Sequence, residues 1–201
     1  MLILRSAPPS PFVRKVRIAA AVLGLTDRID VIDADTINPS DSLRAQNPLG
    51  KIPALILKDG TALYDSRVIA EYLDWLAGGG KILPPPGEAR FRELTLQALA
   101  DGIMDAAILQ MYEIRFREAD KHEPKWVDHQ KGKVGRALAA LEAAPPTGAR
   151  GIGHISLACA LGYLDLRFGG AWRKDYPKLV AWLDAFAREV PAFEATKMPA
   201  A

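Results

Sequence analysis

The chain has 201 residues, 49% of them hydrophobic, enough for one sizeable core or two small ones. Its 26 basic and 24 acidic side chains leave a net charge of +2 with no basic block, which argues against nucleic acid as a partner. No run approaches the roughly 20 apolar residues needed to span a bilayer, the opening MLILRSAPPSP lacks the apolar core and cleavage site of a secretion signal, and the single cysteine, Cys159, cannot form an internal disulfide. A cytoplasmic protein without membrane association is expected.

Leu2, Ile3 and Leu4 form a short apolar run before a Pro-rich turn, the pattern of a buried strand. Phe12, Val16, Ala19, Ala20 and Leu23 then repeat at helical spacing. Ser10 stands at the N-cap position of that helix and Pro11 at its first residue, a strong start signal, and Gly24 is a stop. Arg28–Asp33 reads as a second strand, and a short helix is expected around Ser40–Ala45. The breaker-rich stretch Asn47-Pro48-Leu49-Gly50-Lys51-Ile52-Pro53 reads as a loop. Two apolar runs, Ala54–Leu57 and Thr61–Tyr64, flank an Asp59-Gly60 turn and predict a hairpin. Asp65 and Ser66 can cap a further helix whose inner face is Ile69, Tyr72, Leu73 and Leu76.

Three glycines at 78–80 and three prolines at 84–86 stop any helix and mark a linker. The expected organisation is a first domain over 1–77, a linker over 78–87 and a second, all-helical domain over 88–201. In the second half Leu94, Leu99, Ile103, Ile108 and Met111 follow a long helical pattern. Further helices are predicted over about 125–143, 155–168 and 177–190, the one over 155–168 being apolar on nearly all sides and therefore central.

Three motifs stand in order: Ser10-Pro11-Phe12 after the first strand, Asn47–Pro53 before the hairpin, and Leu63-Tyr64-Asp65-Ser66 after it. Together they resemble the thioredoxin-like half of cytosolic glutathione S-transferases, specifically bacterial members with a serine-type active site. The helical remainder is similar to that family's second domain. The resemblance implies an α/β thioredoxin-like N-terminal domain and an all-α C-terminal domain. It also implies an enzyme that activates the glutathione thiolate for conjugation to a small hydrophobic electrophile, in detoxification. Glutathione is then a co-substrate, no prosthetic group is required, and a homodimer is expected. A non-catalytic binding or interaction protein of the same fold, or a glutathione-dependent isomerase or reductase of one metabolite, is the alternative.

Each position has a physical role under that resemblance. A free thiol of pKa near ~8.5 is only a few per cent ionised at neutral pH. Lowering that pKa by about two units takes roughly 2.7 kcal/mol of differential stabilisation. A helix N-terminus offers free N–H groups and partial positive charge, and a hydroxyl there adds a donor. Ser10 is therefore the expected thiolate stabiliser, with Ser6 a rival closer to the first strand. Pro53 is the expected cis-proline, presenting the backbone of Ile52 to the cysteinyl part of glutathione. Ser66 would bind the γ-glutamyl carboxylate, Asp65 would hold the α-amino group, and Lys51 is a candidate for the glycyl carboxylate. Phe12 would touch both substrates, and Met104, Ile108, Met111 and Tyr112 would complete the second-substrate cleft.

Absences narrow the chemistry. There is no Cys-x-x-Cys pair, and Cys159 falls in the predicted central helix, so conjugation is favoured over disulfide exchange. His122, His129 and His154 lack metal-site spacing. Family members often open the central helix with a Ser/Thr-x-x-Asp capping box; here the corresponding span is Gly151-Ile152-Gly153-His154, with neither hydroxyl nor carboxylate.

Overall fold

The computed structural model describes residues 1–148 and 150–198. Residues 149 and 199–201, which fall within the expected helical domain, lie outside the described residues. In chain order the first half runs β1 (Leu2–Ser6), α1 (Pro11–Val22), β2 (Ile29–Asp33), α2 (Leu43–Gln46), β3 (Ala54–Ile56), β4 (Ala62–Leu63) and α3 (Ser66–Leu76). The second half runs α4 (Glu88–Phe116), α5 (Pro124–Ala143), α6 (Ile152–Phe168), α7 (Pro177–Glu189) and α8 (Ala192–Ala195). One sheet has the order β2-β1-β3-β4, with β1 parallel to β2 and antiparallel to β3. The architecture is a thioredoxin-like α/β half followed by a helical half, the expected fold class.

The sheet register decides where the loops go. Arg5 of β1 pairs with Ala54 of β3, and Leu55 of β3 pairs with Leu63 of β4. The end of β1, the start of β3 and the end of β4 therefore lie along one border of the sheet. The segments that follow or precede them carry Ser10, Pro53 and Asp65–Ser66. Three motifs far apart in sequence are thus brought to the same side of the fold by strand pairing alone.

Helix α1 is buried more widely than its apolar stripe predicts. Val13, Val16, Ile18, Ala19 and Ala20 are all buried, because α1 packs against both α3 and α6. Helix α6 is central: residues 151–161 are buried without interruption. It begins at Ile152, three residues before the predicted start. The missing capping box does not delay the helix, because Glu93 of α4 supplies the acceptor: its Oε2 receives the N–H of Gly153 at 2.8 Å. A Cβ on Gly153 would stand 2.8 Å from the Glu93 carbonyl oxygen and 2.8 Å from Leu96 Cβ, so only glycine lets α4 come this close. In α4 the predicted apolar face also needs one correction, since Leu99 is partly exposed at 37% and the buried line runs through Ala100, Ile103, Met104 and Ala107.

The stretch between α3 and α4 is tied down on both sides. The buried Asp74 carboxylate of α3 accepts the N–H groups of Gly80, Lys81 and Ile82 at 2.8–2.9 Å. The Ile82 carbonyl in turn receives the N–H of Ile152 at 2.8 Å. Ile82 and Leu83 are buried. A Gly/Pro-rich segment that reads as punctuation in the sequence is here a packed strap.

Candidate functional site

Ser10 caps α1, with Pro11 as the first helical residue. Its Oγ accepts the Val13 N–H at 3.3 Å. The hydroxyl is half-buried in the wall of a cavity of about 280 Å³ that is also lined by Pro8, Pro9, Arg14 and Tyr163. Ser6, the rival, is the last residue of β1 and only 3% exposed, with its carbonyl taken by the Ala34 N–H. Geometry therefore leaves Ser10 as the hydroxyl that a ligand can reach.

The loop before β3 is shaped by Asn47, which is buried. Its Oδ1 accepts the Leu49 N–H at 3.1 Å and its Nδ2 donates to the Lys51 carbonyl at 2.8 Å. Gly50 completes the turn at φ +60°, a conformation that favours glycine. The chain then enters β3 through a cis Ile52–Pro53 bond, with Ile52 half-buried and Lys51 exposed.

At α3 the two expected capping residues divide the work differently from the sequence reading. Asp65 is the N-cap, its Oδ1 receiving the Arg67 N–H at 2.9 Å, and it remains exposed. Ser66 is the first helical residue and nearly buried. One Asp65 oxygen is thus engaged by the helix.

The structure adds charges that the sequence reading missed. Lys15 of α1 and Asp101 of α4 are both fully buried, with Nζ and Oδ1 2.8 Å apart. The second Asp101 oxygen meets Arg67 Nε of α3 at 2.8 Å. Burial lowers the Lys15 pKa, and Asp101 offsets that loss. The triad joins the two helices whose N-termini carry Ser10 and Asp65–Ser66. One turn on from Asp101, Asp105 has its carboxyl pKa raised by burial and by the Asp101 charge, against the pull of Arg67 and Lys51. A sequence signal existed: a lysine flanking the apolar stripe of α1 and an aspartate inside the apolar stripe of α4 each need a partner.

The expected second-substrate wall is only partly present. Phe12, Ile108 and Met111 are half-buried and Tyr112 is 44% exposed, edge-to-face with Phe116 at 5.1 Å between centroids. Met104 is a correction: it has no exposed surface and packs in the core.

Cys159 is fully buried, and burial pushes its thiol up to about 12. It is a core side chain rather than a nucleophile. Among the described residues no group of three or more His, Cys, Asp or Glu side chains is arranged to hold a metal ion, and no helix is long and apolar enough to cross a membrane.

The thioredoxin-like half thus gathers a capped helix start, a cis-proline loop and a second helix start at one border of its sheet. Residues 9–76 match the family described as Glutathione S-transferase, N-terminal domain, and residues 124–185 match Glutathione S-transferase, C-terminal domain. The chain is 34% identical over 199 residues to the uncharacterized GST-like protein YibF of Escherichia coli K12, covering 96% of each chain. A glutathione transferase family member from Pseudomonas fluorescens Pf-5, solved with bound glutathione, superimposes with a TM-score of 0.92 at 45% identity over 99% of this chain and 100% of that one. A second structure from the same source, solved with bound S-(propanoic acid)-glutathione, gives a TM-score of 0.89 at 44% identity, with 99% and 100% of the two chains covered. The chain belongs to the glutathione S-transferase family.

Proposed function

We propose that the protein is a glutathione transferase of the serine type, which binds glutathione along the Ser10–Pro53–Ser66 border and adds its thiolate to a small electrophile. The observation that carries the reading is the half-buried Ser10 hydroxyl at the N-terminus of a 12-residue helix, in the wall of a cavity. Helix N–H groups and a hydroxyl donor favour a sulfur anion over a thiol. In this reading Ser10 stabilises the thiolate and is not itself a nucleophile. Ile52 aligns the cysteinyl unit through its backbone, and the start of α3 takes the γ-glutamyl carboxylate. Asp65 offers the α-amino group its second oxygen, Lys51 faces the glycyl end, and Phe12, Ile108, Met111 and Tyr112 border the electrophile. Bound glutathione and a glutathione thioether in the Pseudomonas relative support the same chemistry here.

The first domain in this proposal is 1–77 and the second 88–201, joined by the strap. A homodimer is also proposed. Val68 and Trp75 on α3 and Phe91 on α4 are large apolar side chains left 48–68% exposed, a surface that a second copy would cover. Light scattering should give twice the chain mass, and Trp75→Glu with Phe91→Glu should shift it towards the monomer. A cytoplasmic site of action, where glutathione is abundant and Cys159 stays reduced, completes the proposal.

The decisive experiment is calorimetric titration with glutathione, followed by conjugation assays over an electrophile panel with mass spectra of the products. Binding together with a thioether product is expected. No binding at millimolar glutathione overturns the reading, and binding with isomerised or reduced products moves the protein to a different glutathione chemistry.

A further inference from the structure

The cavity beside Ser10 holds a cation that the proposed chemistry has not used. Arg14 follows Ser10 by four residues, one helical turn along α1, and so sits on the same face. Its guanidinium is held from several directions. Nη2 donates to the Phe193 carbonyl at 2.6 Å, Nε donates to Thr196 Oγ1 at 3.3 Å, and the group lies over the Phe193 ring at 4.1 Å. Nη1 occupies the space left by a missing side chain: a Cβ on Gly162 of α6 would stand 2.5 Å from it.

Every hydrogen bond recorded for this guanidinium goes to a neutral oxygen. Three cations line the cavity. Arg173 is paired with Asp165 at 2.7 Å, a carboxylate that also receives the Trp172 Nε1–H, and Lys197 lies 3.4 Å from Glu194. Among the described residues Arg14 has no carboxylate within 4 Å. Asp165 and Glu194 act on it only from a distance, and burial pulls its pKa down. Asp165 and Glu194 are thus engaged by other cations, and the third carboxylate of the wall, Asp184, makes no ion pair with Arg14. A partly desolvated guanidinium without a counter-ion is costly, and an anionic ligand would relieve that cost.

The geometry points to Arg14 as a specificity residue for the second substrate: the cavity beside Ser10 takes electrophiles that carry a carboxylate, and Arg14 pairs with it. The assignment rests on the proposed transferase reading, since it needs the glutathione sulfur at Ser10. The cavity is walled by α1, α6, α7 and α8, so Arg14 would take the carboxylate end of an electrophile whose remainder Phe12 and the α4 residues border. A cavity of about 280 Å³ has room for a short carboxylic acid or a benzoate.

A matched pair of thioethers tests this without depending on turnover. S-(2-carboxyethyl)glutathione and S-(2-carbamoylethyl)glutathione have the same shape and differ in one charge. Calorimetric titration of the full-length protein should show the acid binding about tenfold or more tightly than the amide. Arg14→Gln should remove that preference by weakening the acid alone, and Arg14→Lys should keep part of it. Equal affinity of acid and amide in the unaltered protein overturns the assignment, whether or not the variants fold. So does an equal loss for both ligands in a folded Arg14→Gln, which would make Arg14 a tie between α1 and α8 only. If plain glutathione also fails to bind, the transferase reading itself has failed, and the two outcomes are thereby told apart.

Discussion

Replacing Ser10 separates a structural from a chemical contribution at one position. As an N-cap its hydroxyl is worth about 1 kcal/mol, so Ser10→Ala should lower the unfolding midpoint slightly. If the same hydroxyl stabilises the bound thiolate, glutathione affinity should stay within a few-fold while the thiol pKa rises and turnover at pH 7 falls. The deficit should narrow above the free thiol pKa of ~8.5, where ionisation no longer needs help. An unchanged pH–rate profile would hand the role to backbone donors. Cys159 gives a second check at this scale. With no exposed surface and a thiol raised to about 12, it should resist iodoacetamide in the native protein and react only on unfolding. Rapid native labelling would mean that α6 opens more readily than its burial suggests.

Among the elements, the start of α6 shows both what sequence reading reaches and where it stops. Local signals placed Ser10 before α1, the Asp59-Gly60 hairpin and Asp65 before α3, because caps and turns are decided by neighbours along the chain. The start of α6 is decided by Glu93, some 60 positions away, and no local pattern announces it. Glu93→Ala should cost about 1 kcal/mol in urea unfolding as the cap is lost. Gly153→Ala should cost more, because its Cβ meets the backbone of Glu93 and the Cβ of Leu96, neither of which can swing away. A smaller effect for Gly153→Ala than for Glu93→Ala would show that α4 and α6 can separate without penalty. Met104 fails for a related reason: periodicity identifies the stripes of α4 but not which stripe meets which neighbour. The same limit hid Lys15 and Asp101, whose burial only becomes visible when α1 and α4 are laid side by side.

At the scale of the whole molecule, the Lys15–Asp101–Arg67 triad and the Asp74 strap connect the α/β half to the helical half. Asp101→Ala leaves a buried ammonium without its partner, and the loss should be about 3–5 kcal/mol in denaturant unfolding. Because Arg67 follows Ser66 directly, the same change should weaken glutathione binding even though Asp101 is fully enclosed. Asp101→Asn keeps one acceptor and should fall between. Unaltered stability in Asp101→Ala would mean that water or another carboxylate reaches Lys15.

The triad also bears on how such a protein can be recombined. A chimaera joining residues 1–77 of this chain to the helical half of a relative would inherit Lys15 and Arg67 from one parent and the residue facing them from the other. Unless that parent has an acid at the matching place, the buried Lys15 would lose its counter-charge and Arg67 its tie to α4. Family members that exchange halves freely in the laboratory should therefore be those that share all three charges, so compatibility is inherited as a set.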